Sequence, residues 1–571
     1  MSAISVQTPF PIFNDIDGQP LEAGYIFVGV ANLDPQGNPV AVFFDEALTQ
    51  PAGQPIRTMG GYAVNSGTPT NLYSGSDYSI RVTNKNGLVI YSAPVAQSYL
   101  TLPSPSGSSS VGFIQAGAGA VANTVQGKLR ESVSVMDFGA VGNGVTDDTT
   151  AIRNAIASGA KRITGVAGSR YIITDTITIN VPNIEIDFNG AELVLNNPSG
   201  TLSHLFLGDG VTQCNGIRLK NIVFTRVQIA TAGYAIDSDF IGVCEINNCR
   251  IFGNNLIFNG IRILRGIIIK IQGNYVDNCR NFGLYLEGTN TTTFRTVDVI
   301  IRENRIEGGV TALSTWDFVE GVFCRDNIFF NTSGAVVTVN ASSPATGLVS
   351  FKFQQNDFDS GLSTGLFINN VDNVQITGNW FSNLASHGID MDATDSVIVL
   401  DNQLYVSGDG IRVAGRATVV SGNLVSGGGS ALYVRATARH TTATGNQFSN
   451  CNIGVNLAEG CTDVSLQGNT IFGVSSNSVA GEIPGTRIYI TDNKGDVAIG
   501  ASNYLSVGAS PFTYVAGPRP EFINMFSGTV SQVAFGGNAF AFSSPNSFSL
   551  SPGQSVTVTY SVLPIMLRKF G

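Results

Sequence analysis

Eleven asparagines recur through the middle of the chain at intervals of 21 to 30 residues: Asn248, Asn274, Asn304, Asn327, Asn356, Asn379, Asn402, Asn423, Asn446, Asn469 and Asn493. A period in the twenties is the mark of a solenoid, in which each repeat buries its apolar face only by stacking on its neighbours. The residues around each asparagine select the kind of solenoid. ITGNWF (376–381), VSGNLV (420–425), ATGNQF (443–448) and LQGNTIF (466–472) read as a strand, a sharp turn at Gly-Asn and a second strand. A further element precedes each: GIDMD (388–392), GIRVA (410–414), ALYVR (431–435) and GVNLA (454–458), all alternating with period two. That alternation leaves no room for helices. The pattern predicts an all-β protein built on a right-handed parallel β-helix, two or three short strands per rung. Stacked asparagines then sit about 4.8 Å apart, each side-chain amide bonding the next rung. Leucine-rich repeats share the period, but their dense leucine consensus is missing.

Composition bounds the partners. With 571 residues, 43% hydrophobic and 13% charged, the chain has ample apolar surface for a large core and is not of disordered type. A net charge of −10 argues against a nucleic-acid partner. No run approaches the roughly 18 apolar residues of a membrane span, so membrane insertion is not expected. The first residues, MSAISVQTPFPIF, carry neither the basic region nor the apolar core of a signal peptide, which points to synthesis in a cytoplasm. Seven cysteines without CxxC spacing read as small buried apolar residues, so neither metal nor organic cofactor is expected.

Shifts in composition divide the chain at about 1–100, 101–131, 132–496 and 497–571. The first segment has strand candidates at 25–30, 40–45, 78–84 and 88–93, the last two flanking the hairpin signal Lys85-Asn86-Gly87. LPSPSGSSSVG (102–112) is a linker. Asp147 or Asp148 is placed to cap a short helix with Ala151, Ile152, Ala155 and Ile156 on its apolar face, a plug for the first rung. After about 497, FTYVAG (512–517), FSGTVSQVAFGGNAFAFSS (526–544) and FSLSPGQSVTVTYS (548–561) alternate as antiparallel strands of a β-sandwich.

The segment Asp137-Phe138-Gly139-Ala140, with Gly142-Asn143-Gly144 and Thr146-Asp147-Asp148-Thr149, resembles the opening motif of β-helices in the pectate-lyase-like superfamily, which includes polygalacturonases and phage tailspikes. Residues 9 to 67 resemble the head-binding domain of podophage tailspikes, on Pro11-Ile12-Phe13, Gly24-Tyr25-Ile26-Phe27-Val28-Gly29, Asp34-Pro35, Pro39-Val40, Pro51 and Gly60-Gly61. FSLSPGQSVTVTYS is similar to terminal modules of phage tail proteins that serve trimerisation or receptor contact. The resemblance implies a homotrimeric virion spike, joined through residues 1–100 to phage tail or head adaptor proteins, whose β-helix meets a bacterial surface polysaccharide. The polygalacturonase signatures NTD, paired DD and RIK are not evident.

Aligning rungs by their glycines gives the outward positions Tyr285 and Glu287, Phe367 and Asn369, Asp390 and Asp392, Arg412 and Ala414, and Tyr433 and Arg435. Aromatics beside carboxylates and arginines suit a sugar polymer, since rings stack on pyranose faces and charged groups bind hydroxyls and acids. Asp390 and Asp392, at i and i+2, are spaced like the acid and base of an inverting glycosidase. Further catalytic candidates are Glu287, Asp317 and Glu320, with Asp357 and Asp359 behind them. Tyr285, Trp316, Phe367, His387, Arg412, Tyr433 and Arg435 are candidates for substrate binding. Two functions fit: a spike that binds and hydrolyses the polysaccharide, and one that only adheres to it.

Overall fold

The structure is a computed structural model that describes residues 11–96, 107–289, 294–342, 348–481, 487–495, 502–541 and 546–570. The first ten residues, the linker between 102 and 106, and the expected boundaries at 100 and 496 lie outside the described residues. The chain forms two compact units, residues 1–129 and 130–571.

In the first unit, an antiparallel sheet runs from Thr68–Pro69 through Tyr62–Asn65, Ile56–Met59, Tyr25–Val30 and Tyr78–Thr83 to Val89–Ala96. The hairpin at Lys85-Asn86-Gly87 closes with Gly87 at φ +83°. The expected strand at 40–45 shrinks to Val42–Phe43. Leu21, Ile26, Val28, Val42, Ile56 and Val82 make the core of this unit.

In the second unit the helix Thr149–Ala157, which comes after the first strands of two of its sheets, presses Ile152, Ala155 and Ile156 onto the first rungs. Asp148 stands at its N-cap, but its carboxylate turns away to accept from the Val141 and Gly142 amides. Asp147 caps instead, accepting from the Thr149 amide at 3.0 Å. Three parallel sheets follow, one strand of each per rung. The first runs from Ser132–Ser134 to Ile488–Thr491, the second from Asn143–Asp147 to Thr470–Phe472, and the third from Ile177–Ile179 to Asn477–Ala480. Strand alternation sends one set of side chains into a continuous core of Ile, Val, Leu and Phe. Within it Phe329, Phe358 and Phe381 follow one another rung on rung, the last two stacked at 4.5 Å between centroids. All seven cysteines are buried and free.

The asparagines form the ladder their spacing predicts, with one correction. From Asn274 to Asn493, each side-chain amide donates to the side-chain oxygen of the next at 2.8–3.0 Å, and the same oxygen accepts the preceding backbone N–H. The second amide hydrogen goes to a carbonyl of the previous rung, as Asn379 donates to Phe353 O at 2.9 Å. The buried amides are thereby satisfied. Before each stands a left-handed residue, such as Gly378 (φ +66°) or Asp401 (φ +53°). Asn248 is not part of the ladder: it occupies that left-handed position itself (φ +54°), and Cys249 supplies the N–H that meets Asn274.

Beyond the last rung, two four-stranded antiparallel sheets face each other. One is Ser502–Leu505, Met566–Phe570, Glu521–Met525 and Asn546–Leu550; the other is Phe512–Val515, Ser555–Val562, Thr529–Phe535 and Asn538–Ala541. Ile523, Met525, Val533, Leu550, Val556 and Met566 are buried between them, which makes a sandwich.

Candidate functional site

The parallel register turns single residues of successive rungs into columns. On the third sheet one outward column reads Asp237, Arg262, Tyr285, Ser314, Thr338, Phe367, Asp390, Arg412 and Tyr433. The column beside it reads Glu287, Trp316, Asn340, Asn369 and Asp392. Their inward neighbours Leu284, Leu286, Leu366, Ile368, Ile389, Met391, Ile411, Val413, Leu432 and Val434 are fully buried. Ala414, read as outward in the sequence, is buried too, because its strand ends at Val413.

Two clusters of ionisable groups lie on this face. Around Asp390 the charges are paired. Arg435 Nη2 binds Asp390 Oδ1 at 2.6 Å, and Arg412 Nη1 stands 3.3 Å from Oδ2, so both carboxylate oxygens are engaged and Asp390 is buried beneath them. Burial raises its pKa, against the pull of Arg435 and Arg412. Asp392 remains exposed, with Arg435 at 3.7 Å. His387 Nδ1 accepts from the Asp409 amide at 3.1 Å, and its Nε2 faces Arg412 at 2.8 Å. Burial and the Arg412 charge depress its pKa. Arg412 also lies over the Tyr433 ring, 5.5 Å from its centroid.

Around Glu287 the arrangement is different. The cation next to it, Arg262, is held bidentately by Asp237 at 2.7 and 3.1 Å and lies over the Tyr234 ring. Arg265 is taken by Asp239 at 2.6 Å and lies against the adjacent Phe240 and Phe294 rings. The Glu287 carboxyl has no hydrogen-bond partner among the described residues. Half-buried, it has its pKa raised by burial; Arg262 opposes the shift, and the negative charges of Asp317 and Asp239 add to it. Tyr285, stacked on Phe282 with centroids 5.0 Å apart, and Trp316, 38% exposed, flank it. Asp317 follows Trp316 and accepts from Ser342 N and Oγ at 2.7 and 2.8 Å. A carboxyl whose surroundings raise its pKa, beside a second that accepts from Ser342, is the kind of pairing in which environment sets acid apart from base.

The structure thus brings together Glu287, Tyr285, Trp316 and Asp317, and separately Asp390, Asp392, His387, Arg412, Tyr433 and Arg435, with Phe367 next to Asp390 in its column. It does not bring Glu320 to this face. Glu320 belongs to the first sheet, past the turn that follows Trp316, and binds Arg295 at 2.6 Å. Asp357 and Asp359 stand on the second sheet. Sequence reasoning missed Asp237, Asp239, Arg262 and Tyr234. Extending the glycine alignment upstream through Gly260-Ile261-Arg262 would have found Arg262.

Comparison with known proteins gives three results. Residues 323–505 match the family described as periplasmic copper-binding protein (NosD). Among the described residues no group of three or more His, Cys, Asp or Glu could hold a metal ion, and Cys324, Cys451 and Cys461 are buried with raised pKa values, so these residues do not fit copper. A tail spike protein of an Escherichia phage is 43% identical over 83 residues, which are 14% of this chain and 9% of that protein. Tailspike protein 3 of bacteriophage CBA120 superposes with a TM-score of 0.52 at 15% identity, covering 78% of this chain and 74% of the other. The tailspike of E. coli bacteriophage HK620, in complex with a pentasaccharide, gives 0.45 at 13% identity over 82% of this chain and 99% of its own. The chain thus shares tail-spike sequence over 83 residues and the β-helix fold of a phage tailspike over 78% of its length.

Proposed function

We propose that this protein is a virion tailspike whose β-helix binds and hydrolyses a bacterial surface polysaccharide, a lipopolysaccharide O-antigen or a capsule, during adsorption. The observation that carries the reading is the Glu287 carboxyl, its pKa raised by burial and without a hydrogen-bond partner among the described residues, on an outward face lined by Tyr285 and Trp316. Glu287 donates its proton to the glycosidic oxygen as the bond to the anomeric carbon breaks. Asp317 takes a proton from the water that forms the new bond to that carbon. Trp316 and Tyr285 stack on the sugar rings at the cleavage point, and Phe367, Arg412 and Tyr433 hold the polymer further along the column. Asp390, its two oxygens occupied, positions Arg412 and Arg435. The first hundred residues join the spike to the tail machinery, and three copies make the spike.

Incubating the purified protein with E. coli lipopolysaccharides and capsular polysaccharides and counting new reducing ends tests this reading. Shortened polymer is the expected result. Tight binding with no shortening on any of them makes the protein an adhesive spike without hydrolysis.

A further inference from the structure

The chain has two tryptophans, and neither is in the core. Trp316 belongs to the site above. Trp380 lies on the second sheet, 40% exposed, one rung before Tyr405, which is 39% exposed; their ring centroids are 5.0 Å apart at 37°. Burial of the core does not call for either ring, since Phe381 and Leu404 fill the inward positions of the same strands. Asp357 precedes Trp380 in the same column, and Asp359 stands two residues on, in the column that continues through Ser382 to Tyr405.

The two carboxylates differ in what they have left to offer. Asp359 accepts from Ser382 Oγ and Asn383 Nδ2, both at 2.9 Å, and from Ser360 Oγ at 3.1 Å, all through Oδ1 among the described residues. Asp357 has no hydrogen-bond partner among the described residues, and its pKa is raised by burial and by Asp359. The strands Asp357–Asp359, Trp380–Leu384 and Gln403–Val406 contain no lysine or arginine. Two flat, amphipathic rings on neighbouring rungs, with hydroxyl acceptors on the rung before, match the apolar face and equatorial hydroxyls of successive sugars. Two carboxylates on strands that carry no lysine or arginine repel an acidic polymer.

We infer that this face is a second polysaccharide-binding platform, separate from the third-sheet site and selective for uncharged segments of glycan. Trp380 and Tyr405 stack on the sugars, while Asp357 and the free oxygen of Asp359 accept their hydroxyls. The inference rests on the polysaccharide reading above. Its use would be retention: a polymer cut on the third sheet stays held on the second.

The two-tryptophan composition supplies the test. In W316F the full-length protein has Trp380 as its sole tryptophan, and in W380F it has Trp316. Each form is titrated with neutral E. coli O-polysaccharides and with an acidic E. coli capsule, following emission and acrylamide quenching. The inference predicts that neutral polymer shifts Trp380 emission to the blue and shields it from acrylamide, that acidic capsule does neither, and that W380A weakens neutral-polymer binding about tenfold. A Trp380 that never responds while Trp316 does overturns the platform and leaves the third-sheet reading standing. Silence at both tryptophans overturns both. A Trp380 already shielded from acrylamide in free protein also overturns the platform, since another subunit then covers it.

Discussion

Glu287 and Asp392 stand in one outward column, four rungs or about 19 Å apart, and Asp390 is Asp392's neighbour on the same strand. Both ends of that column lie on strands of one parallel sheet, and the difference in chemistry comes from the charges on neighbouring rungs. At Asp390 the rungs that follow supply Arg412 and Arg435, and both carboxylate oxygens are taken. At Glu287 the preceding rungs supply Arg262 already bound by Asp237, and the other nearby charges are Asp317 and Asp239. A solenoid fixes where side chains point. Whether a carboxylate serves structure or chemistry depends on which charges its neighbouring rungs bring and whether those charges are already matched.

The largest effects should separate the two clusters. Glu287→Gln should lower the depolymerisation rate at least a hundredfold, and up to about ten-thousandfold, with polymer binding kept. Asp390→Ala should instead act on stability. It leaves two guanidiniums facing each other without their carboxylate, at a cost of about 3 kcal/mol, read as a faster thermal inactivation or a lower denaturant midpoint. If the Asp390 variant folds normally and loses the rate while the Glu287 variant keeps it, the assignment of the two clusters is reversed. A middle-sized effect concerns binding. Trp316→Ala should weaken affinity for the cleaved polymer about tenfold, a loss of roughly 1.4 kcal/mol within the range of aromatic contacts. Tyr433→Ala, at the Asp390 end, should weaken it less, because that ring is already covered on one side by Arg412.

Much of this was readable in the sequence, because β-helix rungs repeat locally. The ladder from Asn274 onward, the inward apolar residues and the alignment of Asp390 with Arg412 all follow from period-two alternation and a constant turn. Asn248 misled because the turn has two positions that favour asparagine, the left-handed one and the ladder one, and Asn-Cys fills them in the order that looks like Gly-Asn displaced by one. Glu320 misled because a turn between Trp316 and Val319 carries the chain from one sheet to the next, and four residues of sequence then mean different faces. The rank of Glu287 was not readable, since it depends on Arg262 being engaged by Asp237, 25 residues away in sequence and one rung away in space. Spacing shows which residues share a face, but not which charges on it are already paired.

The smallest expected effect gives the most direct check on that last point. If Glu287 acts as the acid, kcat/KM must fall as pH rises through its pKa, because only the protonated form donates. That pKa lies above the ordinary glutamate value through burial and through Asp317 and Asp239, and Arg262 holds it down. Removing a negative neighbour lowers it, and removing the positive one raises it. Asp239→Asn should therefore move the alkaline limb of the pH–rate profile to lower pH, and Arg262→Gln should move it to higher pH, with modest changes in the plateau rate. Opposite displacements identify the titrating group as one that both charges act on, as they do on Glu287 and not on Asp390. A limb that stays put in both variants, or moves the same way in both, assigns the proton to another residue and removes the contrast between the two clusters.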